Sequence, residues 1–538
     1  MQNLILLHKN YTLNEEGYQL KLPLNLETII PVDDSVRLLS QFVEAMDLTD
    51  LYSTYERINT VSPRTLLKIV LYSYMNGDYS SRSMELNCKR DINFMYLLEG
   101  KPVPDHATFA RFRSIHFAPC AKRILAEMSN ILYELGEISG ETIFIDGTKI
   151  EACANKYTFV WKKAVTKNQA KLLIKIVDLI AECEQLYGIQ IVHGDTVKMK
   201  HVKRLRKKLY ALKQDENIVF VHGIGKRKTQ LQKSIETLEE YLDRLKGYTK
   251  KLHICGKRNS YSKTDHDATF MRMKEDHMRN RQLKPAYNVQ LAVHSEYIMG
   301  VGVFPKPNNT NTLIPFVQQL EQIHSRRFTY VVADAGYDSH ENLTWLKNNH
   351  YLSCIKPQYY EKAKTRTWAK DISKARNMEY IPEEDAFTCA KGRKLKYAFT
   401  RKVENKTGFV SERKVYICES CNRCGYKKEC QRYVKRTTEN PVKRIEITPA
   451  YDAVRAENQD RLLSDTGIQL RMNRSIQVEG AFGVLKQDLG FRRLLHRGSG
   501  NVHKMLYLLS MGFNLAKLHN RIQAGRVNTT LFTAKQTA

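Results

Sequence analysis

The chain has 538 residues, so roughly two to four structural units are expected at the usual size of a domain. Hydrophobic residues make up 42% and charged residues 27%, a globular composition that excludes a largely disordered or collagen-like chain. The 86 Lys and Arg residues exceed the 57 Asp and Glu residues, giving a net charge of +29. An excess this large predicts a polyanionic partner, most simply nucleic acid.

No segment of the sequence is typical of a membrane protein. The most apolar stretch, residues 505–518, is shorter than the ~20 residues of a membrane-spanning helix and contains Asn514 and Lys517. Residues 1–10 lack the charged start, apolar run and cleavage site of a signal peptide. The sequence therefore predicts a cytoplasmic protein that faces DNA or RNA and contacts no membrane.

The N-terminal part, residues 1–138, is predicted to be helical. Further helices are expected over residues 66–75, after a proline, and over residues 83–98. The first helix is indicated by apolar residues at helical spacing, namely Val36, Leu39, Val43 and Met46.

A basic helix closes this region. Asp105 begins it, and it carries Arg111 and Arg113. Several short helices that end in a basic one are similar to a helix-turn-helix, whose last helix enters the major groove. Arg111 and Arg113 are therefore candidate DNA contacts, to bases or to phosphates, and a plain helical bundle is the alternative.

The next segments alternate between strand and helix patterns. A short apolar run at residues 141–148 contains Asp146 and predicts a buried strand. A second strand, at residues 328–337, contains Asp334. The other elements predicted in this part are strands over 287–293, 298–304 and 351–355 and helices over 312–324 and 339–348. This order predicts an α/β fold with helical material before it and inserted into it.

The segment from residue 156 to residue 285 is predicted to be a basic helical insertion. Seven of the eleven residues from 198 to 208 are Lys or Arg. The buried face of its first helix is predicted to be Leu173, Ile176, Val177, Ile180 and Tyr187. An antiparallel partner is indicated by the 4-3-4-3 spacing of Leu231, Ile235, Leu238, Leu242 and Leu245. The charge is either a solvated surface or a DNA contact, and the pattern leaves both open.

Two carboxylates stand at strand ends, Asp146 and Asp334, where ligands and catalytic groups gather on α/β sheets. Either one could instead cap a turn. A third candidate, Glu479, lies on a segment predicted to be helical, although Gly480 and Gly483 weaken that prediction. Oxygen ligands from three carboxylates suit Mg²⁺, and a pair of such ions can cleave a phosphodiester.

Several motifs of this sequence resemble the DDE transposases of bacterial insertion sequences, which have an RNase H-like catalytic core. The resemblance covers most of the chain in the expected order. The motifs that carry it are Ile145-Asp146-Gly147-Thr148, Tyr287-Asn288-Val289-Gln290, Asp334-Ala335-Gly336-Tyr337, Val478-Glu479-Gly480-Ala481-Phe482, Gly490-Phe491-Arg492-Arg493 and the lead-in Pro104-Asp105-His106-Ala107-Thr108-Phe109. The chain looks like the longer subgroup with a helical N-terminal domain and a cysteine-bearing insert.

The resemblance implies the role of each matching residue. Asp146, Asp334 and Glu479 become the catalytic triad that binds Mg²⁺ or Mn²⁺. Further implied DNA contacts are Lys486, Arg474, Arg492 and Arg493. Lys486 matches the Glu-x6-Lys pattern of the family, whereas position 475 is Ser where the family signature has Arg, so Arg474 is chosen by proximity. Asp338 is predicted to cap the helix that follows it rather than to bind metal.

The predicted organisation combines this core with two inserts. Residues 1–138 form an N-terminal DNA-binding domain, and the RNase H-like core begins with 139–155 and 286–355. The remaining parts are the insertion 156–285, a cysteine-bearing insert of basic, irregular chain at 356–450, the C-terminal helical part of the core at 451–525 and a tail at 526–538.

Four clustered cysteines fit the spacing of a structural zinc site: Cys418, Cys421, Cys424 and Cys430. The resemblance implies a different set, because its insert usually has an upstream Phe/Tyr-x-Cys, matched here by Phe387-Thr388-Cys389. Cys389, Cys421, Cys424 and Cys430 are then the ligands and Cys418 is spare. Buried thiols without metal are the alternative.

The implied function is DNA transposition. The enzyme binds the terminal inverted repeats of its own element, cleaves phosphodiester bonds and joins the liberated 3′-hydroxyl to target double-stranded DNA, as a homodimer in the bacterial cytosol at the nucleoid. The alternatives are an RNase H-like endonuclease without strand transfer and an inactive DNA-binding regulator. Three carboxylates facing phosphate argue against the regulator, which gains nothing from them.

Overall fold

The structure is a computed structural model, and it describes residues 25–57, 60–223, 225–273, 282–324, 326–432 and 441–532. The predicted absence of a signal peptide concerns residues 1–10, which lie outside these ranges. A mixed α/β fold with both parallel and antiparallel strand pairs confirms the predicted class.

In the described residues of the N-terminal part, from residue 25 onward, the structure has eight α-helices. They are α1 (Leu26–Ile29), α2 (Ser35–Ala45), α3 (Thr49–Ser53), α4 (Pro63–Met75), α5 (Ser81–Arg90), α6 (Ile92–Leu98), α7 (His106–Arg111) and α8 (Ala118–Glu134). The single helix expected over residues 83–98 is two helices, because Asp91 is extended and its side chain accepts the Asn93 N–H to begin α6. A π-helical segment (Phe112–Phe117) joins α7 to α8.

The first core strand leads directly into the helical insertion. Its elements are β1 (Thr142–Glu151), β2 (Phe159–Trp161), α9 (Lys162–Tyr187), α10 (Met199–Asp215), α11 (Gln230–Cys255) and β3 (Ser260–Ser262). β2 and β3 pair at its base, and the three long helices share a separate apolar core. All five apolar residues predicted for α11 are buried.

The predicted face of α9 is right in part. Ile176 and Ile180 are buried as predicted, while Val177 is 40% exposed and Leu173 and Tyr187 are only partly covered. Leu172, Leu179 and Cys183 complete the buried face, and the run of adjacent apolar residues at 172–174 concealed which of them points inward.

The core sheet continues with β4 (Thr269–Arg272), β5 (Leu283–His294), β6 (Tyr297–Phe304), α12 (Leu313–Ile323), β7 (Tyr330–Ala333), α13 (His340–Asn348) and β8 (Leu352–Ile355). β1 lies at its centre, antiparallel to β5 and parallel to β7. β8 extends the parallel side, and β5 also pairs antiparallel with β4 and β6. The expected strand at 328–337 is shorter, so the chain leaves the sheet just before Asp334.

The cysteine-bearing insert is a second sheet, and the prediction of irregular chain was wrong. Its five strands are antiparallel in the order β13-β12-β11-β10-β9. In β11 the apolar side chains of Leu395, Tyr397, Phe399 and Val403 alternate with mostly polar ones, so the sequence contained a strand signal, although only Leu395 is fully buried. The elements are α14 (Tyr360–Ala363), α15 (Arg366–Ala369), β9 (Glu379–Ile381), β10 (Ala386–Thr388), β11 (Lys394–Glu404), β12 (Val410–Cys418), α16 (Lys427–Cys430) and β13 (Arg444–Ile447).

Four helices complete the fold: α17 (Pro449–Leu463), α18 (Asp465–Arg474), α19 (Gly480–Gly483) and α20 (Ser499–Gln523). The apolar run at residues 505–518 lies in α20, almost entirely buried against the core. Within the described ranges, no helix is long and apolar enough to cross a membrane.

Asparagine side chains cover both outer strands of the core sheet. Asn514 of α20 accepts the N–H of Ile298 at 2.8 Å and donates to its carbonyl at 2.9 Å. Asn458 of α17 does the same for Ile355 on β8, at 3.0 and 2.7 Å. Each side-chain amide replaces one residue of a neighbouring strand, and so fixes a helix against the sheet.

Candidate active site

Asp146 and Asp334 lie at neighbouring positions of the core sheet. The register of β1 and β7 places Ile145 opposite Ala333, and each aspartate is the next residue along. Asp334 directly follows β7 as predicted, but the prediction that Asp146 ends its strand was wrong, because β1 continues to Glu151 through its pairing with β5. Asp146 is 8% exposed, and Asp334 is partly buried.

Backbone N–H groups hold both carboxylates. Gly147 donates to Asp146 Oδ1 at 2.7 Å, and Gly336 donates to Asp334 Oδ1 at 2.9 Å. A Cβ on Gly147 would lie 2.1 Å from Gln290 Nε2 and 2.9 Å from Asn309 Oδ1, so this position has no room for a side chain. The close approach of β1 to these two polar residues explains the glycine after Asp146.

Glu479 enters the site from a helix with two wide turns. α18 continues through a π-helical segment (Ser475–Glu479) into α19, and a second π-helical segment (Val484–Asp488) follows. π-helical turns are rare and often mark functional sites. The first one places Arg474 and Glu479 within hydrogen-bond distance of each other, with Nη2 of the arginine 3.1 Å from Oε1 of the glutamate.

Arg474 joins two members of the predicted triad. Its Nη1 lies 3.3 Å from Asp146 Oδ2 while its Nη2 contacts Glu479. The side chains of Arg474 and Asp146 are 12% and 11% exposed, whereas that of Glu479 is 61% exposed. The guanidinium thus supplies a positive charge between carboxylates that belong to opposite ends of the sequence.

A buried polar network lies beneath the aspartates, and sequence reasoning did not assign it a role. The hydroxyl of Tyr337 donates to Gln290 Oε1, and the amide of Gln290 donates to Asn288 at 2.9 Å and to Asn309 at 3.3 Å. Burial raises the pKa of Tyr337 well above its ordinary value, and the charges of Asp146 and Asp334 raise it further. Tyr337 is therefore a neutral hydrogen-bond donor here. The available signal was the pair of polar residues Asn288 and Gln290 within the predicted apolar strand 287–293.

The donor set suits a hard divalent cation, since all three side chains offer carboxylate oxygen. In the described parts of the chain, however, no group of three or more His, Cys, Asp or Glu side chains is arranged to hold a metal ion. The predicted triad does not form such a group, because Arg474 already pairs with two of its members, Asp146 and Glu479.

The predicted DNA-contacting residues differ in how they are engaged. Arg111 is exposed and reaches only Thr108 of its own helix, at 3.4 Å. Arg113 is turned inward, donating to the Tyr79 carbonyl at 2.8 Å and to the Tyr74 hydroxyl at 3.2 Å.

The C-terminal candidates also differ from one another. Arg493 donates to the carbonyls of Ala152 and Ala154 at 3.4 and 3.3 Å, just beyond β1. Arg492 is exposed. Lys486 is half-buried in the second π-helical segment.

Asp338 does not cap the helix that follows, so that prediction was wrong. Ser339 is the cap and accepts the Asn342 N–H at 3.1 Å. Asp338 is buried instead, and Tyr451 and Arg455 of α17 each donate to it at 3.0 Å. Its role is to fix α17 beside the strand that carries Asp334.

All five cysteines of the insert line one cavity of about 20 Å³: Cys389, Cys418, Cys421, Cys424 and Cys430. Burial raises the pKa of the Cys430 thiol; the Lys443 ammonium opposes this, and the thiols of Cys389, Cys421 and Cys424 add to it. Cys418 donates to the Ser420 carbonyl at 3.3 Å, and burial raises its pKa to about 11. The cavity has room for a single small ion or water.

Two protein-family models match the chain. The model described as "Transposase domain (DUF772)" matches residues 24–114, and the one described as "Transposase DDE domain" matches residues 388–519, which include Glu479. Both are transposase domains and indicate a DNA transposase. Their positions near the two ends of the chain support, more particularly, a DDE transposase of bacterial insertion sequences. No curated protein and no solved structure matches the chain.

Proposed function

We propose that this protein binds the terminal inverted repeats of its own insertion sequence, cleaves DNA there and transfers the 3′-hydroxyl end into target DNA. The single observation that carries the proposal is the approach of Asp146 and Glu479 to one guanidinium, with Asp334 on the adjacent parallel strand. An RNase H-like core is part of the proposal, supported by a sheet in which antiparallel strands flank β1 on one side and parallel strands on the other.

Asp146, Asp334 and Glu479 would hold Mg²⁺ or Mn²⁺. Bound there, divalent ions supply activation of a water or 3′-hydroxyl and stabilisation of the leaving oxygen. The chain itself contributes the positions of the carboxylates. The backbone N–H groups of Gly147 and Gly336 fix Oδ1 of each aspartate, and the Arg474 guanidinium contacts Oδ2 of Asp146 at 3.3 Å.

Basic residues around the site would bind the DNA backbone. Arg474, Lys486, Arg492 and Arg493 lie on the helical segment that carries Glu479 or shortly after it. In the N-terminal domain, Arg111 is the better candidate than Arg113, because the Arg113 guanidinium already donates to Tyr74, Tyr79 and Ser81. Two element ends must be held together for strand transfer, so we propose a homodimer in the DNA complex.

A structural zinc site in the insert belongs to the same proposal. Cys389, Cys421, Cys424 and Cys430 would be the ligands, as the resemblance implies, and the cavity that these four thiols share with Cys418 supports a site there. The zinc would stabilise an insert with a small apolar core.

The zinc proposal is tested by metal analysis of purified protein. We expect one zinc per chain in the wild type and in Cys418→Ser, and loss of zinc in Cys421→Ser. Loss in Cys418→Ser instead would assign the site to the four closely spaced cysteines, and a wild type without zinc would refute the site.

The catalytic proposal is tested with a plasmid that carries the coding region and its natural flanks. Wild type, Asp146→Ala and Asp334→Asn are incubated with it, with Mg²⁺ or with chelator. We expect metal-dependent breaks at both element ends for the wild type alone, while Asp334→Asn keeps nearly full binding to the ends. Equal turnover by wild type and variants would refute the assignment of the catalytic carboxylates. Cuts at scattered positions would favour an endonuclease. Binding of the wild type without cleavage would favour an inactive regulator.

A further inference from the structure

Half of the net charge lies on the helical insertion. Residues 156–263 contain 25 Lys and Arg against 10 Asp and Glu, a net +15 of the total +29, on about a fifth of the chain. The candidate active site uses none of these residues. Folding does not require this excess of positive charge. The mutual repulsion of the charges destabilises the insertion unless a polyanionic partner binds.

The cations of α10 form a single exposed stripe. Its buried face is His201, Val202, Leu205 and Leu209. Away from that face, an i, i+3, i+4, i+7 pattern aligns four exposed side chains within about 10 Å along the helix. They are Lys200, Lys203, Arg204 and Lys207.

The four cations of the stripe form no ion pair within the part of the chain that the structure describes. By contrast, the neighbouring Arg206 is paired with Glu239. The acids of α11 are occupied too, since Glu240 pairs with Arg244 and Asp243 with Lys246, both at 3.1 Å. These positive charges also act on the neighbouring His201. Burial lowers the pKa of His201, and the charges of Lys200 and Arg204 lower it further.

An open groove of about 690 Å³ lies beside the stripe, between α10 and α11. Every charged residue that lines it is basic, and the Arg206 guanidinium lies over the ring of Tyr210, 5.3 Å from its centroid. The lining includes Lys203, Lys207, Tyr210, Leu242 and Lys246. Such a groove is complementary to a phosphate backbone in charge and offers no acidic side chain to repel it.

The insertion is placed and sized to hold DNA beside the cut site. It grows from the end of β1, the strand that carries Asp146, and its base is the β2–β3 pair. α9 and α11 have 26 residues each, so the arm extends about 39 Å. That length corresponds to about one turn of B-form DNA, ~34–36 Å.

We propose that the stripe Lys200, Lys203, Arg204 and Lys207, with the adjoining groove, binds the phosphate backbone of duplex DNA that flanks the cleavage site, without reading its sequence. This inference rests on the proposed function, and it assigns to the insertion a DNA contact separate from recognition of the element ends.

The test is the salt dependence of binding to a random-sequence duplex of about 30 base pairs, measured by fluorescence anisotropy on the full chain. The variant carries Lys200→Gln, Lys203→Gln, Arg204→Gln and Lys207→Gln together. Because each lost phosphate contact lowers the slope of log K against log salt by about 0.9, we expect the slope to fall by about 3–4. Gln has nearly the helix propensity of Lys and Arg, so the thermal unfolding curve should be preserved.

A matched control removes the same charge from α9 through Lys163→Gln, Lys167→Gln, Lys171→Gln and Lys175→Gln. These lysines are exposed, but they are spread over about 18 Å, and the exposed apolar side chains of Ile174 and Val177 lie among them. We expect the slope of this variant to fall by less than about 1. An unchanged slope in the α10 variant would overturn the proposal, as would equal losses in both variants, which would indicate a net-charge effect only.

Two further results separate this inference from the proposed function. A loss of affinity in the α10 variant for single-stranded DNA or RNA but not for the duplex would overturn the duplex assignment. A wild type that binds duplex DNA through the stripe yet cleaves no element end would support the surface and overturn the transposase activity. Cleavage at the element ends together with an unaltered slope in the α10 variant would support the transposase activity and overturn the proposed DNA-binding surface.

Discussion

Arg474 and Asp146 form an ion pair, 3.3 Å from Nη1 to Oδ2, although 327 residues separate them in the chain. The same guanidinium binds Glu479 at 3.1 Å. The Arg474 guanidinium offsets the repulsion between Asp146, which is largely buried, and the neighbouring Asp334. A divalent ion bound by these carboxylates, as we propose, would have to compete with Arg474 for Asp146 and Glu479.

Arg474→Ala should tighten metal binding by about fivefold. An ion pair that is partly exposed contributes about 1 kcal/mol, and that contribution no longer opposes the metal when the guanidinium is absent. The measurement is calorimetric titration of the DNA-free protein with Mn²⁺, so the result does not depend on catalysis.

The matched control for this change is Arg471→Ala. Arg471 lies one turn earlier on α18, and its Nη1 donates to the Tyr360 hydroxyl at 2.7 Å rather than to the triad. Its loss should leave Mn²⁺ affinity unchanged. Equal affinities for wild type and Arg474→Ala would show that the guanidinium does not compete with metal.

Gly147→Ala should abolish cleavage by displacing the polar network under the triad. The new methyl would meet Gln290 Nε2 at 2.1 Å, and Gln290 is also held by Tyr337. Movement of Gln290 breaks a buried hydrogen bond and shifts β1 beside Asp146. We expect a loss of stability of about 1–3 kcal/mol and at least a hundredfold loss of cleavage.

Gly247→Ala on α11 is the corresponding harmless change, because nothing lies within 4 Å of its added Cβ. A helix-interior Gly→Ala change should stabilise the insertion by up to about 1 kcal/mol and leave cleavage intact. Urea unfolding and the plasmid assay measure both effects. Full activity in Gly147→Ala would show that the network does not position the carboxylates.

The central part of the fold was predictable because its signals are local. The apolar runs around Asp146 and at residues 287–293 predict buried strands, and both lie in the core sheet. Asp334 follows a short strand as expected, and the register then brings it beside Asp146. The pairing between strands was not predictable, since nothing in either strand specifies its neighbour.

The features that were not predicted from the sequence are contacts between residues far apart in the chain and strands rich in polar residues. The contact between Arg474 and Asp146 depends on the π-helical turn before Glu479, and no local pattern distinguishes that turn from α-helix. The insert sheet was missed because the many Lys and Arg residues of β11 obscured the alternation of Leu395, Tyr397 and Phe399. Asp338 was assigned a cap role from its position alone, whereas its partners Tyr451 and Arg455 are more than 100 residues away.

Asn514→Ala should destabilise the core without changing the triad. It removes both side-chain hydrogen bonds to Ile298, which is fully buried, and leaves that N–H and carbonyl without partners. Each buried group left unpaired costs about 1–3 kcal/mol. Asn501→Ala, on the exposed first turn of α20, should cost much less, and comparable urea midpoints for the two variants would contradict the role of Asn514.

His294 makes the core sensitive to acid. It is 1% exposed, its Nε2 accepts the N–H groups of Ser139 and Gly140 at 3.0 and 3.3 Å, and burial lowers its pKa to about 4. The unfolded chain takes up the proton first, at a pKa of about 6.5, so stability present above that pH is lost as the pH falls towards 4. From pH 7.5 to 4.5 this loss of stability should reach about 2–3 kcal/mol.

His294→Gln retains an acceptor that does not titrate, so the urea midpoint of this variant should fall less over the same pH interval. Parallel losses in wild type and variant would show that the acid sensitivity arises from other groups.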